Sequence, residues 1–459
     1  MLKFINRESE LDFLDREYHS QSPSLVIIYG RRRVGKTTLI SEFIKGKKAM
    51  YFLADKETEK DSMKRFAREL ADFTKNEYLK SVTFENWRSL FEVFVKADSV
   101  EKKLLIIDEL PYMVETNNAF PSILQWVWDT WLVKENVMLI LCGSHIHMME
   151  KHTLNYSSPL YGRRTGQIRL GQLSFRHYRE FFPDYDERSL VEHYSVTGGV
   201  PRYIELFRGY GSLHAKINQY VIGRNALLYE EPEFLLRHEI EEIGSYFSII
   251  KSIASGNHKL GKICADIGIK QTSLPKYLKT LALLDIVHRE TPITETNPEK
   301  SKMGLYKLKD NFLAFWFRFI FPERSRIEIG QTAHVLEKIK NNLVDAHTAY
   351  VYENVCMEEL WHRSQVNNQN ISKIGKWWNG KEEIDIIGIG EENREIVFAE
   401  CKFQNKPMDA DIYYDLLRKK DFVGWNKNDR HEKFVLFSIS GFTEKLVNIA
   451  KHDKDLTLV

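Results

Sequence analysis

The stretch IIYGRRRVGKTTLI, residues 27–40, decides the fold of the N-terminal part of this chain. On its left the apolar run SLVIIY (residues 24–29) reads as a buried strand, and on its right TTLISEFIKG (residues 37–46) repeats apolar positions at helical spacing. Between strand and helix, Gly30 and Gly35 bracket Arg31, Arg32, Arg33 and Val34 and lead into Lys36, Thr37 and Thr38. Every fixed position of G-x-x-x-x-G-K-[ST] is filled, in the strand–loop–helix context that the motif requires. The glycines let backbone N–H groups turn inward around phosphate oxygens, and the helix N-terminus adds positive potential. Lys36 is expected to reach the β and γ phosphates, and Thr37 to ligate magnesium. The three arginines occupy variable loop positions, open to nucleotide, a neighbouring subunit or acidic side chains. The lysine, not the arginines, is the residue whose loss is expected to abolish binding.

The bulk numbers frame this reading. A chain of 459 residues is too long for one core, so two or three domains are expected. A formal net charge of +2 excludes a uniformly basic nucleic-acid coat and leaves only local patches. No stretch approaches the roughly eighteen apolar residues that span a bilayer, and the start MLKFINRESEL lacks the apolar core of a signal peptide. A cytoplasmic protein with no membrane partner is the expectation. Cys142, Cys264, Cys356 and Cys401 are far apart in apolar surroundings, the pattern of buried thiols rather than a disulfide or zinc framework.

A phosphate loop needs a second strand that delivers an acid to the metal. KKLLIIDELPYM (residues 102–113) supplies it, its apolar run ending in Asp108 and Glu109. Asp108 is expected to hold magnesium through water and Glu109 to polarise the attacking water. A third apolar strand, NVMLILCGSHIHMM (residues 136–149), ends in Gly143 and Ser144. In P-loop ATPases of the AAA-like kind a polar residue at this tip senses the γ-phosphate, and Ser144 is the candidate. His145 and His147 follow without a third ligand of matching geometry, so no metal is assigned to them.

The segments FINRESEL (residues 4–11), YGRRRVGKTTLI, LLIIDELPYM, LILCGSH, PLYGRRTGQIRLGQLSF (residues 159–175) and TGGVPRYIEL (residues 197–206) occur in an order that resembles one group. These are the archaeal-type P-loop ATPases of archaea and bacteria, in the AAA-like/STAND branch, with a C-terminal nuclease-like domain of unknown function. The resemblance covers nearly the whole chain. It implies that Arg7 and Glu8 lie near adenine and ribose, that the turn around Pro201 closes over the base, and that Arg163 or Arg164 is an arginine finger neutralising charge on the transferring phosphoryl group. A finger given between subunits implies a homo-oligomer.

Residues from about 170 to 229 read as amphipathic helices, a helical lid over the nucleotide. Residues 245–290 then break into helix, turn, helix, turn, helix and strand, with Gly256 and Gly268 at the turns, the order of a winged helix. TPITETNPEKSKMGLYKL (residues 291–308) supplies the polar wing and second strand. Lys259, Lys262, Lys270, Lys276 and Lys279 face only one acid, Asp266, in that interval, so a recognition helix starting near Gln271 suits DNA phosphates. The competing role is a regulatory lever, and Pro275 either interrupts the helix or marks its first turn. The aromatic run from Phe312 to Phe321 reads as packing.

Past about residue 340 the pattern becomes helix (residues 345–361), two strands EEIDIIGIG and EIVFAECKF joined by EENR, a helix (residues 409–423) and the strand KFVLFSIS. Asp385, then Glu400 and Lys402 on the next strand, match the D…E-x-K arrangement of PD-(D/E)xK nucleases, with Ile384 in place of the proline. Alternation along a strand puts Glu400 and Lys402 on one face. Asp385 and Glu400 are expected to share Mg2+ or Mn2+, Lys402 to orient water or stabilise the transition state, and Glu353 resembles the additional acid of such folds.

The expected fold class is therefore α/β: a P-loop NTPase (AAA-like) parallel sheet (residues 1–170), a helical lid (171–235), a winged helix (236–325) and a C-terminal restriction-endonuclease-like α/β domain (340–459). The expected function is a magnesium-dependent ATPase coupling the ATP state to DNA binding and nucleic-acid cleavage. Its competitor is a signalling ATPase with a silent C-terminal domain.

Overall fold

The computed structural model describes residues 4–223, 225–240, 242–367 and 370–459. Contacts divide the chain into two units, Met1–Leu173 with Val200–Arg202, and Ser174–Gly199 with Tyr203–Val459. The helices expected as a separate lid thus belong to the second unit, apart from the short return at Val200–Arg202.

In the first unit, five strands, β1 (Ser24–Tyr29), β2 (Ala49–Leu53), β3 (Lys103–Asp108), β4 (Val137–Gly143) and β5 (Gly166–Arg169), form one parallel sheet in the order β2-β3-β4-β1-β5. The strands β1, β3 and β4 are buried along their whole length, which is why they read as unbroken apolar runs: helices cover both faces of such a sheet. One face packs Val26, Ile28, Leu104, Ile106, Met138 and Ile140 against Leu39, Ile40 and Phe43 of the helix Lys36–Phe43. Because β1, β3 and β4 are neighbours, the phosphate loop, the acidic pair and Ser144 all leave the same end of the sheet, where ligands of open α/β sheets bind.

In the second unit, the helices Gly244–Ala254, Leu260–Ile267 and Leu274–Leu283 lead into an antiparallel ribbon, β6 (Val287–Glu290) with β7 (Leu305–Leu308). Gly268 ends the middle helix at φ 73°, a left-handed position that favours glycine. Pro275 lies in the first turn of the third helix, where its missing N–H breaks no hydrogen bond. That helix begins at Leu274 rather than near Gln271. Phe312, Phe315, Trp316, Phe317 and Phe319 are buried, and Trp316 Nε1–H donates to the Tyr229 carbonyl at 2.9 Å, so the aromatic run is packing.

The chain then forms a second sheet, β8 (Lys373–Trp378), β9 (Glu383–Gly390), β10 (Glu395–Lys402), β11 (His431–Ser438) and β12 (Leu456–Leu458), in the order β12-β11-β10-β9-β8. Strands β8, β9 and β10 are antiparallel neighbours, whereas β10–β11 and β11–β12 are parallel. The helix Ala349–Val366 packs on one face with Ile386, Ala399 and Cys401, and the helices Ala410–Lys419 and Glu444–His452 cover the other with Ile387, Phe398 and Leu436. Strands β8 and β12 and the last helix add to the sequence expectation. All four cysteines are free and buried. Among the described residues no helix is long and apolar enough to cross a membrane.

Candidate functional site

At the end of β1, any side chain at Gly30 would force the backbone to shift: a Cβ there would lie 2.2 Å from the Leu170 carbonyl oxygen, which is held by the Leu170 N–H bond to the Tyr29 carbonyl at 2.7 Å. Gly35 has φ 97° and stands directly before the helix, so the loop closes in a conformation that side chains rarely adopt. Lys36 is buried, its Nζ donating to the carbonyls of Gly30 at 2.9 Å and Arg31 at 3.0 Å. The ammonium thus sits inside its own loop. Arg31 and Val34 are buried, Arg33 takes φ 67°, and exposed Arg32 donates to the Tyr112 hydroxyl at 2.9 Å. A Cβ on Gly35 would stand 3.9 Å from Pro201 Cγ, so Pro201 lies beside the phosphate loop. Arg7, mostly buried and at φ 82°, donates to the Gly171 carbonyl at 2.5 Å and to Glu10 at 3.2 Å.

The two acids of β3 are held differently. Asp108 is 1% exposed; its Oδ2 accepts from Tyr51 Oη at 2.6 Å and Thr37 Oγ1 at 3.1 Å, and its Oδ1 from the Glu109 N–H at 2.9 Å. Glu109 turns the chain at φ 56°, and its Oε2 accepts from the Ser144 N–H at 3.0 Å and Ser144 Oγ at 2.9 Å. Burial, with the neighbouring Asp108, pushes the Tyr51 hydroxyl and the Cys142 thiol well above their ordinary values. Thr37 and Asp108 therefore present neighbouring oxygens, the donor type that a hard cation such as Mg2+ takes. Tyr51 escaped the sequence reading: in AMYFL (residues 49–53) it is one apolar-strand residue among others, and only the β2–β3 register brings it to Asp108.

The two arginines of LYGRR differ. Arg163 makes a bidentate pair with Asp129, at 2.8 and 2.7 Å, and donates to the Pro159 carbonyl, while Asp129 raises its pKa. Among the described residues, Arg164 makes a long contact to the Leu154 carbonyl, 3.4 Å, and lies over the Tyr161 ring.

In the second unit, continuing the Ala399–Ile386 register by one residue sets Glu400 across from Asp385. Glu400 is buried, and Lys419 of the helix Ala410–Lys419 reaches its Oε1 at 2.8 Å while Lys402 stands 3.5 Å from Oε2. Burial and the charge of Asp385 push Glu400 up to about 7, against both lysines. Asp385 Oδ2 accepts from the Cys401 N–H at 2.9 Å, and Glu353 pairs with Lys376. Burial raises the Glu353 carboxyl although Lys376 opposes it. The expected ligands Glu353, Asp385 and Glu400 are each engaged by a protein donor, and among the described residues no group of three or more His, Cys, Asp or Glu side chains is gathered to hold a metal. Lys376 and Lys419 are further missed members: each sits outside the motif on a neighbouring element. A cleft of about 300 Å³ opens beside Asp385, lined by Glu353, Lys376, Trp378, Lys307 and Tyr350.

On the three-helix segment, Lys259, Lys262, Lys270, Lys276 and Lys279 are all exposed. Arg289 of β6 donates to the carbonyls of Pro298 at 2.6 Å and Ser301 at 2.5 Å, which folds the loop between β6 and β7 back onto its own strand. Burial works to raise Glu290, but His288, Lys307 and Lys376 outweigh it and hold the carboxyl at about 2.

Two family models match the chain: an ATPase domain found predominantly in Archaea over residues 4–207, and a group of archaeal and bacterial proteins of unknown function over residues 316–414. An uncharacterized protein of Methanocaldococcus jannaschii is 37% identical over 439 residues, which cover 94% of this chain and 95% of that protein. A second protein of that organism, described as an uncharacterized ATP-binding protein, is 50% identical over 48 residues, 10% of this chain and 81% of the other. Among solved structures, a Walker-type ATPase of Pyrococcus abyssi aligns with a TM-score of 0.52 at 19% identity, over 69% of this chain and 96% of its own, a likeness of fold.

Proposed function

Because the chain belongs to the family of that full-length Methanocaldococcus relative, and carries an archaeal-type ATPase domain followed by a domain of unknown function, we propose that it is a magnesium-dependent ATPase whose nucleotide state controls contact with DNA. The observation that carries this reading is the division of labour between the two acids. Asp108 is tied to Thr37 of the phosphate loop, and Glu109 is aimed at Ser144 on the neighbouring strand tip. Thr37 and Asp108 would hold Mg2+, which when bound neutralises charge on the phosphates. Lys36 exchanges two loop carbonyls for phosphate oxygens. Glu109 takes a proton from the attacking water, and Ser144 holds that carboxylate until the γ-phosphate arrives. Arg7 and Pro201 flank the base and loop, and Thr38 with the loop N–H groups completes the cradle. Arg164 is the better finger, because Arg163 is spent on Asp129; it acts on a neighbouring copy in a homo-oligomer.

We read the three helices and ribbon as a winged helix, whose five exposed lysines suit DNA phosphates. The helix–β8–β9–β10–helix–β11 order, with Asp385 across from Glu400, supports a restriction-endonuclease-like domain. There Asp385 and Glu400 would be the pair to hold Mg2+ or Mn2+, and Lys402 would stabilise charge on the scissile phosphate. The pairing of Glu400 with Lys419 and of Glu353 with Lys376 favours a second reading, a signalling ATPase whose C-terminal domain binds without cutting. Incubation with plasmid and single-stranded DNA, Mg2+ or Mn2+, with and without ATP, separates the two. Cleavage abolished by Asp385→Ala supports the nuclease, whereas ATP turnover with no cutting of any substrate supports the signalling form. Absence of ATP binding in magnesium buffer refutes both.

A further inference from the structure

A cleft of about 470 Å³ opens in the second unit where the helix Phe175–Tyr178, the helix Ala349–Val366 and the end of β11 meet. None of Glu353, Asp385, Glu400 and Lys402 lines it, so it is separate from the candidate nuclease residues. Its floor is apolar: Tyr352, Val355 and Phe437 are buried in the core on that side of the sheet, and half-buried Phe175 and Ile439 pack against them. The walls are held in place. The Phe175 N–H donates to Glu358 Oε2 at 3.2 Å, and the Phe175 ring meets Tyr194 edge-on at 5.3 Å.

The rim carries the charge. Arg179 pairs with Glu187, Arg363 pairs with Glu359 at 2.6 Å, and Glu358 takes the Phe175 N–H. Arg176 differs from these. Among the described residues no carboxylate lies within ion-pair reach of it, and its Nη1 donates to His362 Nδ1 at 2.6 Å. A guanidinium can only donate, so that ring nitrogen accepts the bond and brings no negative charge. Arg176 thus sets uncompensated positive charge, with further N–H groups, on the rim of an apolar cleft. Apolar walls, a volume within the roughly 300–1,000 Å³ of small-molecule sites and a charged group that fixes orientation are the makings of a ligand pocket.

We infer that this cleft binds a small organic anion, a planar ring system carrying one carboxylate, phosphate or sulfonate head. The rings are buried against Phe175, Val355 and Ile439, and the flat guanidinium of Arg176 donates to two oxygens of the head, the geometry that distinguishes arginine from lysine. The inference depends neither on ATP turnover nor on DNA cleavage, and it gives the second unit a ligand of its own under either reading of the function.

Anilinonaphthalene sulfonate, a fluorescent ring system with one anionic head, is the probe, and phenylnaphthylamine, the same rings without the head, is its neutral counterpart. Both are titrated into the full chain, with and without a nonhydrolysable ATP analogue and Mg2+. Wild type binds the sulfonate equally well in both conditions. Arg176→Gln weakens the sulfonate about tenfold, the loss expected for one hydrogen bond to a charged group, and leaves the neutral probe unchanged, which shows the cleft to be intact. Ile439→Trp fills the cleft and weakens both probes. Equal weakening of the two probes by Arg176→Gln would make Arg176 a structural tie to His362 and overturn the inference. It is also overturned if wild type binds no sulfonate, if either variant binds it as wild type does, or if the ATP analogue displaces it, which would put the probe in the nucleotide site.

Discussion

Lowering the pH from 7 to 5 tests the core joint of the second unit. His193 and His347 are both buried, and burial holds each at about 4, below the ordinary 6.5. His347 Nε2–H donates to the Ser195 carbonyl at 2.6 Å, and Ser195 Oγ meets Thr348 Oγ1 at 3.0 Å, so the helix that ends before the GGVP turn is tied to the segment leading into the Glu353 helix. In the unfolded chain these histidines take up protons through pH 6.5, while in the fold they stay neutral until about pH 4. The unfolded state binds more protons across that window, so the stability is present above pH 6.5 and is lost as the pH falls. From pH 7 to 5 each histidine should cost about 2 kcal/mol, and the pair about 4 kcal/mol. Urea unfolding of wild type and His347→Leu at both pH values measures this, because the difference between the two proteins cancels contributions common to both. The variant should lose about 2 kcal/mol less than wild type on acidification, whatever its absolute stability. Equal losses in the two proteins would falsify the assignment of His347 as a buried neutral group.

Other outcomes follow from single contacts. Glu109→Gln should keep analogue binding while ATP turnover falls by about 10²–10⁴-fold, the range for loss of a general base, as measured by phosphate release. Gly30→Ala drives a Cβ to within 2.2 Å of the Leu170 carbonyl, which is backbone and cannot swing aside, so we expect about 1–3 kcal/mol lost in thermal or urea unfolding, and weakened nucleotide binding. Replacing Trp316 by Ala empties a fully buried site and orphans the Tyr229 carbonyl; about 3–5 kcal/mol should be lost from the unfolding free energy of the second unit. Lys419→Met removes the closest cation from Glu400, and its carboxyl should then titrate still higher, followed by carbon-13 NMR of labelled glutamate.

The linear order of residues was enough to locate the phosphate loop, the strand ending in Asp108 and Glu109, and the strand ending in Ser144, because parallel strands buried on both faces must be apolar throughout and the loop must change chemistry abruptly at their ends. Alternation likewise put Glu400 and Lys402 together, and Gly268 marked a helix limit, whereas Pro275 fitted a break or a first turn equally until the helix Leu274–Leu283 settled it. Partnerships across the fold were beyond its reach. Tyr51 meets Asp108 through the register of β2 on β3, Lys419 meets Glu400 from a helix that the strand cannot specify, and His347 meets Ser195 across 152 positions of chain. Local patterning encodes which way a side chain faces within its own element; only packing, which the whole chain settles at once, decides whose oxygen or nitrogen it finds there. That is why the sequence alone could single out these acids as candidates, and the tertiary structure alone decided what holds each of them: a hydroxyl pair for Asp108, a serine for Glu109, and lysines for Glu400 and Glu353.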